Sequence, residues 1–577
     1  MKKLFRSKRL AILVSMVMIF SIFAPGLMKN AMAAGTQASG RIVDIISFND
    51  FHGSLKPDGK NIGAAKLAGE INKLRQANPN TIVVAGGDLY QGSAMSNLTY
   101  GKPVSEVVKE IGIGASAVGN HEFDWGVKYI ENWAKDGEFD FLASNIYDKT
   151  TGKPVAWAKP YKIVEKNGLK IGFIGIATPE SEFKTKPENV LNLQFKDPIE
   201  SANEWAKELK EKEKVDFVVA LTHLGAFQNK DTKEVTGEAA ELAKASKGID
   251  AIVSAHTHQT VAGYVNNIPV VQAYYNGRAL AKLTLGYDEN NKPVAKAEIY
   301  ADLYKKTDLV EDAAVKAIYD KYDKELQPIL SEVVATTDKE LSHDKTSGLS
   351  LLGEWTCDVM RKAAGTQIAI QNGGGLRTSI PQGDITMGKL YEVMPFDNTL
   401  VKMELKGSDI KNNIEHGIDN KEVGWVQFSG LKVYYDPAAS EGSRITSMRL
   451  PDGTKLDMDK YYTVVTNDFM ATGGDKYDFK AAKSMVDMQI PIRDALVKEL
   501  KEIKNLSFNS ADCLVAGNDP LDNKPVEPSE PTVTEPVLPN TGSVIDLTAL
   551  IGFGGSSIAL GAAFVIADRK RRKNKVS

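Results

Sequence analysis

Cysteine is nearly absent from this chain, with Cys357 and Cys513 the only two among 577 residues. So few exclude a disulfide framework, and neither stands in a metal-type spacing, so two free thiols are expected. Basic blocks are absent except at the two ends, and the net charge is −3. That balance excludes the electrostatic footprint of a protein that grips a nucleic-acid polymer. Internal repeats are absent too. Histidine is scarce, but five of the seven lie in four short segments, FNDFHG, GNHEFDWG, LTHLG and SAHTHQ. Each segment falls where an apolar strand should end.

Long apolar runs are confined to the ends. The basic MKKLFRSKRL, the apolar Ala11 to Phe23 and the small residues Ala31 to Ala34 follow the order of a secretory signal peptide, residues 1–33. At the far end LPNTG, Leu538 to Gly542, precedes the apolar Leu547 to Ala567 and the basic run Arg569 to Lys575. The apolar stretch is long enough to span a bilayer, and the basic tail would stop it on the cytoplasmic side. Together, residues 538–577 resemble the sorting signal of Gram-positive cell-wall proteins. The resemblance implies sortase cleavage after Thr541, covalent attachment of Thr541 to peptidoglycan, and only transient membrane contact. Residues 516–537 carry five prolines and little apolar content, as suits an unfolded, stiffened stalk.

Between the ends, roughly 480 residues are too many for one ordinary domain. From 41 to 310 short apolar runs alternate with amphipathic helical patterns, which predicts an α/β layered fold with helices covering sheets. Strands are expected at Ile42–Phe48, Thr81–Ala85, Phe139–Ala143, Lys170–Ile176, Asp216–Thr222 and Ile249–Ser254. A charged helical pattern, Ala313 to Val334, forms a linker within 311–340. Residues 341–515 have a mixed α+β pattern of their own, with a helix at Leu351–Ala364 and strands around Ala369, Thr399 and Tyr462.

The histidine segments supply His52, His121, His223, His256 and His258, with Asp50, Asn120 and, from VVAGGDLY, Asp88. Carboxylate, imidazole and amide donors arriving from five separated points are wasteful as packing. They are what two divalent ions a few ångströms apart require, with a shared carboxylate between them. Asp50 and His52, at i and i+2 of an extended segment, would point the same way, as would His256 and His258. Asp88, after two glycines in a tight turn, is the natural bridge. Asn120 offers a neutral oxygen suited to mixed oxygen and nitrogen coordination.

DxHG, GGD, GNHEFD, THLG and AHTH, in this order, resemble the metallophosphoesterase domain of the secreted 5′-nucleotidase family. That resemblance implies a four-layer β-sandwich flanked by helices, a linker helix, and a mixed α+β substrate domain. It implies two divalent ions (zinc, manganese, magnesium or cobalt), one on Asp50, His52, Asp88 and His258, the other on Asp88, Asn120, His223 and His256. His121 is then no ligand but, with Asp124, resembles the family's catalytic dyad, the carboxylate orienting the imidazole. The expected reaction is in-line attack of water on a phosphate monoester, with no covalent intermediate.

The second half extends the resemblance. NGGGLR, from Asn372 to Arg377, lets backbone approach a ligand while Arg377 offers a forked cation for phosphate or ribose oxygens. In TNDFMATGGDKY, the family pattern makes Phe469 one face of an aromatic clamp on the base and Asp475 an acceptor of ribose hydroxyls. The opposite face falls on Trp425, with Phe428 close enough to leave the choice open. Some members carry an extra arginine ahead of the LG-x-x-x-x-D helix, where this chain has Thr346 or a neighbour, with Lys345 beside it. The implied activity is extracellular hydrolysis of nucleoside 5′-monophosphates, AMP first. Cyclic 2′,3′-phosphodiesterase with 3′-nucleotidase activity, or UDP-sugar hydrolysis, would use the same scaffold. A non-enzymatic surface adhesin would not need this ligand set. Metals in one half and base clamp in the other imply movement about the linker.

Overall fold

The computed structural model describes residues 40–59, 61–510 and 512–522. The leader, the apolar span 547–567, Thr541 and the stalk beyond Asp522 lie outside the described residues. Among the described residues no helix is long and apolar enough to cross a membrane.

The ligand-bearing strands are β1 (Arg41–Phe48), β2 (Thr81–Ala85), β3 (Ala115–Ala117), β4 (Phe217–Gly225) and β5 (Ala251–Ala255). In one six-stranded sheet the order is Pro293–Tyr300, Leu280–Tyr287, β1, β2, β3 and Asp140–Leu142. In the other it is Thr260–Val265, Ile268–Ala273, β5, β4, Leu169–Ala177 and Tyr161–Lys166. Their central strands are apolar on both faces because both faces are covered, unlike the alternating pattern of a half-exposed strand. Val43, Ile45, Val84, Phe173, Val219 and Val253 fill the space between the sheets. Helices Ala64–Ala77 and Lys102–Ile111 cover the outside of the first sheet, and Pro198–Glu208 and Glu238–Ala245 cover the second. This is the four-layer sandwich. At Gly175 the two sheets approach closely: a Cβ there would lie 2.0 Å from the Leu142 carbonyl carbon.

The linker helix is Ala313–Leu330, capped by Asp312, whose carboxylate accepts the N–H groups of Ala314 and Val315. It stops short of the expected Val334, because Val333–Thr337 pairs as a strand with Gly383–Thr386. Beyond it, a five-stranded sheet runs Gln427–Ser429, Ile368–Gln371, Tyr461–Asn467, Thr399–Lys406, Lys483–Pro491. Leu351–Ala364 and Ile492–Ile503 pack on one face and Gly407–Gly417 on the other. Cys357 and Cys513 are buried free thiols.

Candidate metal centre and substrate cleft

β1 to β3 run parallel and adjacent in the first sheet, as do β4 and β5 in the second. Parallel strands end at one edge, so the loops after all five open there, as α/β layers arrange their sites. Main-chain bonds lock the loops together: the Asp50 N–H donates to Gly87 O and the His52 N–H to Asp88 O, both at 3.0 Å. Gly119 is obligatory in this packing, since a Cβ there would lie 2.2 Å from Asp88 Oδ1.

The extended geometry expected for Asp50–His52 and His256–His258 is not what the chain adopts. Asp50, His52, Asp88, His256 and His258 have φ of 48°, 49°, 52°, 74° and 53°. Such left-handed backbone costs about 1–3 kcal/mol per residue and persists only where the surroundings over-determine it. The tight turns, rather than strand alternation, bring Asp50 and His52 together, whereas His256 and His258 part to different partners.

Asp50, His52 and His258 form one close group and Asp50, Asp88 and His223 another, with ligand atoms within 4.8 Å of one another in each. The carboxylate common to both is Asp50, whereas the sequence pattern assigned the shared position to Asp88. His258 Nε2 lies 3.4 Å from Asp50 Oδ1, and His223 Nε2 3.2 Å from Asp88 Oδ2. Asn120 and His256 flank these groups. The Asn120 amide donates to Lys184 O at 3.2 Å, and the His256 ring lies 5.1 Å from that of His223. His256 Nε2 is 2.9 Å from Glu180 Oε2, which orients the ring.

Asp50 Oδ1, Asn120 Oδ1 and His223 Nε2 are all buried without a hydrogen-bond partner. Each such atom costs about 1–3 kcal/mol unless something satisfies it, and a set of oxygen and imidazole nitrogen donors fits cations. Backbone carbonyls prepare two of the rings: His52 Nδ1 is 3.0 Å from Gln91 O, and His223 Nδ1 2.8 Å from Gly86 O. Each contact fixes Nδ1–H and turns Nε2 into the site. Burial and the neighbouring His258 push His52 down to about 3, so it is a neutral ligand. Burial also opposes charge on His223, but the Asp88 carboxylate outweighs it and raises that ring to about 10.

His121 belongs to neither close group. Its Nδ1 lies 2.7 Å from Asp124 Oδ2, its N–H donates to Asp88 Oδ1 at 2.9 Å, and its ring stacks 5.9 Å from Phe396 of the second lobe. Glu122 is next in the chain. It is wholly buried and accepts the N–H groups of Asp88, Leu89 and Gly119 at 2.7 to 2.8 Å, tying two ligand loops together. Burial, then repulsion from Asp88, raises its carboxyl to about 7.

Residues 44–260 match the calcineurin-like phosphoesterases, and residues 333–484 match the 5′-nucleotidase C-terminal domain. The chain belongs to the calcineurin-like phosphoesterases of 5′-nucleotidase type. Members of this fold use two divalent metal ions. The 5′-nucleotidase precursor of Thermus thermophilus superposes with a TM-score of 0.72 at 27% identity, over 83% of this chain and all of that one. Endonuclease YhcR of Bacillus subtilis is 34% identical over 465 residues, 75% of this chain but 37% of that protein. This chain thus spans little more than a third of the Bacillus relative's length. Cell wall protein Lmo0130 of Listeria monocytogenes is 26% identical over 527 residues, 80% of this chain and 67% of that protein.

The metal-side loops open into a cleft of about 1940 Å³, whose other wall is the second lobe. Asn372, Arg377, Phe469 and Asp475 line it. Asp475 is held by the Asn372 amide at 2.8 Å and faces Lys184 of the first lobe at 3.6 Å. Trp425 is half-buried against Tyr435 and over the glycine loop, where a Cβ on Gly373 would lie 2.4 Å from Trp425 O. Phe428 is wholly buried in its strand and has no face to offer a base, and Trp425, unlike Phe469, is not among the residues that line the cleft. Thr346 and Lys345 both line the cleft, the Thr346 hydroxyl donating to Asp344 Oδ1 at 2.7 Å.

Proposed function

We propose that the chain is a metal-dependent phosphoric monoester hydrolase acting on nucleoside 5′-monophosphates outside the cell, with AMP favoured. The carrying observation is one cleft with cation-ready groups and His121–Asp124 on one wall and Arg377, Phe469 and Asp475 on the other. Residues 41–310 would carry the chemistry and 341–515 the recognition. One ion would be held by Asp50, His52, Asp88 and His258, the second by Asp88, Asn120, His223 and His256. Bound there, such ions supply Lewis-acid stabilisation of phosphoryl charge and acidify water.

The chain's own groups do the rest. Asp124 orients His121 through Nδ1, which leaves Nε2 to protonate the departing ribose oxygen. Arg377 binds phosphate or ribose oxygens through its forked guanidinium. Trp425 and Phe469 stack on the base, and Asp475 accepts ribose hydroxyls. Thr541 would anchor the enzyme to peptidoglycan, in keeping with a relative that is a cell wall protein.

Purified protein should be assayed on AMP, 3′-AMP, 2′,3′-cyclic AMP and a UDP-sugar, with manganese, magnesium, zinc and cobalt in turn. AMP should give the highest kcat/KM. A higher value for the cyclic or 3′ substrate would overturn the 5′ assignment. Thr541→Ala should move activity from the wall fraction to membrane or medium; a chain still covalently on peptidoglycan refutes the sorting reading.

A further inference from the structure

The segment from Thr178 to Asn189 touches more of the site than any sequence motif announced. On the metal side, the Thr185 hydroxyl donates to Asp124 Oδ1 at 2.8 Å, on the oxygen that Asp124 does not give to His121. Lys184 O accepts the Asn120 amide, Glu180 holds His256, and the Asn189 amide donates to Phe123 O at 2.8 Å and Asp124 O at 3.1 Å. On the substrate side, the Lys186 ammonium meets Asp468 Oδ2 at 2.8 Å, and Asp468 in turn accepts the Asn398 amide at 2.7 Å. The Lys184 ammonium donates to Glu422 O at 3.2 Å and faces Asp475, while Lys476 sits 4.4 Å over the Phe183 ring. The two lysines that reach across the cleft therefore stand on either side of Thr185, which is 1% exposed.

We propose that Thr185 is a positioning residue for the His121–Asp124 pair, and that the Lys186–Asp468 bond to the substrate lobe sets its hold on Asp124. Resting on the phosphohydrolase reading above, this adds a mechanical link between the nucleotide-binding lobe and the proton-donating pair. Asp124 has two oxygens: one orients the imidazole, and the other is fixed, among the described residues, only by Thr185. With that hydroxyl gone the carboxylate can rotate, and His121 loses its aim without losing a proton, a cation or a substrate contact. Asp468 adjoins Phe469 in the chain, so the base-binding turn and the anchor of Lys186 move together.

The test uses the full chain with its metals, after wild-type turnover of AMP is established; absence of that turnover would sink the phosphohydrolase reading rather than this one. Thr185→Val removes the hydroxyl at constant shape. It should lower kcat by about 10²-fold, as a small misplacement of a catalytic group does. KM for AMP and the metal content should stay near wild type. Thr185→Ser should restore most of kcat. Lys186→Met should lower kcat less, and combined with Thr185→Val it should cost nothing further, because both act through one bond. If the valine variant does not fold, Thr185→Ala enters the same cycle. An unchanged kcat, a loss confined to KM, loss of metal, no rescue by serine, or additive effects of the two changes would each overturn the proposal.

Discussion

His52 and His258 face each other nitrogen to nitrogen, their Nε2 atoms 3.1 Å apart across 206 residues of sequence. Two imidazoles so placed can share one proton or one cation, but both cannot be protonated. Beside them, His223 carries a proton on the nitrogen that faces Asp88. Chelation should therefore abolish turnover, and reloading apo-protein at neutral pH should release about one proton per chain, measurable in weak buffer. Metal analysis should find Asp88→Ala depleted of both ions and His52→Ala of mainly one. If Asp88→Ala keeps two tight ions while Asp50→Ala loses both, the bridge is Asp50.

His121 sits against Asp124 and outside both ligand groups. His121→Ala should keep its metals and roughly its KM, and lose about 10²–10⁴ in kcat. Loss of metal alongside activity would make His121 a ligand.

Trp425 and Phe469 test whether the second lobe confers nucleotide identity. Alanine at either should raise KM for AMP about 5- to 100-fold, the worth of about 1–3 kcal/mol of stacking. A small phosphate ester without a base should be hydrolysed nearly as before. Equal damage to both substrates would make the rings structural, which the contact of Trp425 with Tyr435 makes a real rival.

Lys345 supplies a pH test. Enclosure by the cleft, then the positive charges of Arg377 and Lys184, push its ammonium down to about 8. Below that pH it is a cation facing the anionic nucleotide; above it the charge is lost. KM for AMP should rise roughly two- to fivefold across that pH, the size expected of a solvent-reachable ion pair. Lys345→Arg should move the rise out of range, and Lys345→Met should flatten it. A step that survives in the methionine variant belongs to another group.

The layered fold was legible because both-face-buried strands such as Thr81–Ala85 read as unbroken apolar runs, and Leu351–Ala364 carries its cap and its terminating glycine in sequence. The candidate ligands were legible because imidazole and carboxylate at strand ends have little reason to be there otherwise. Glu122, Glu180 and Thr185 were not. A glutamate or threonine in a short loop looks like ordinary surface, and their side-chain partners, Gly119 apart, lie 33 to 76 residues away. Only Glu122 left a trace, as the neighbour of His121 in GNHEFD. The backbone of Asp50–His52 departs from the extended expectation for a related reason: alternation predicts where strand side chains point, not where a strand stops.

The left-handed turns at Asp50, His52, Asp88, His256 and His258 carry a consequence for anyone evolving this protein. Glycine would suit every one of those backbone angles better than the residue present. A screen that rewards heat resistance alone should therefore drift towards glycine at these five sites, yielding a sturdier protein that hydrolyses nothing. The most rugged version of this fold and its most active version are different sequences, and they part company first at these five positions.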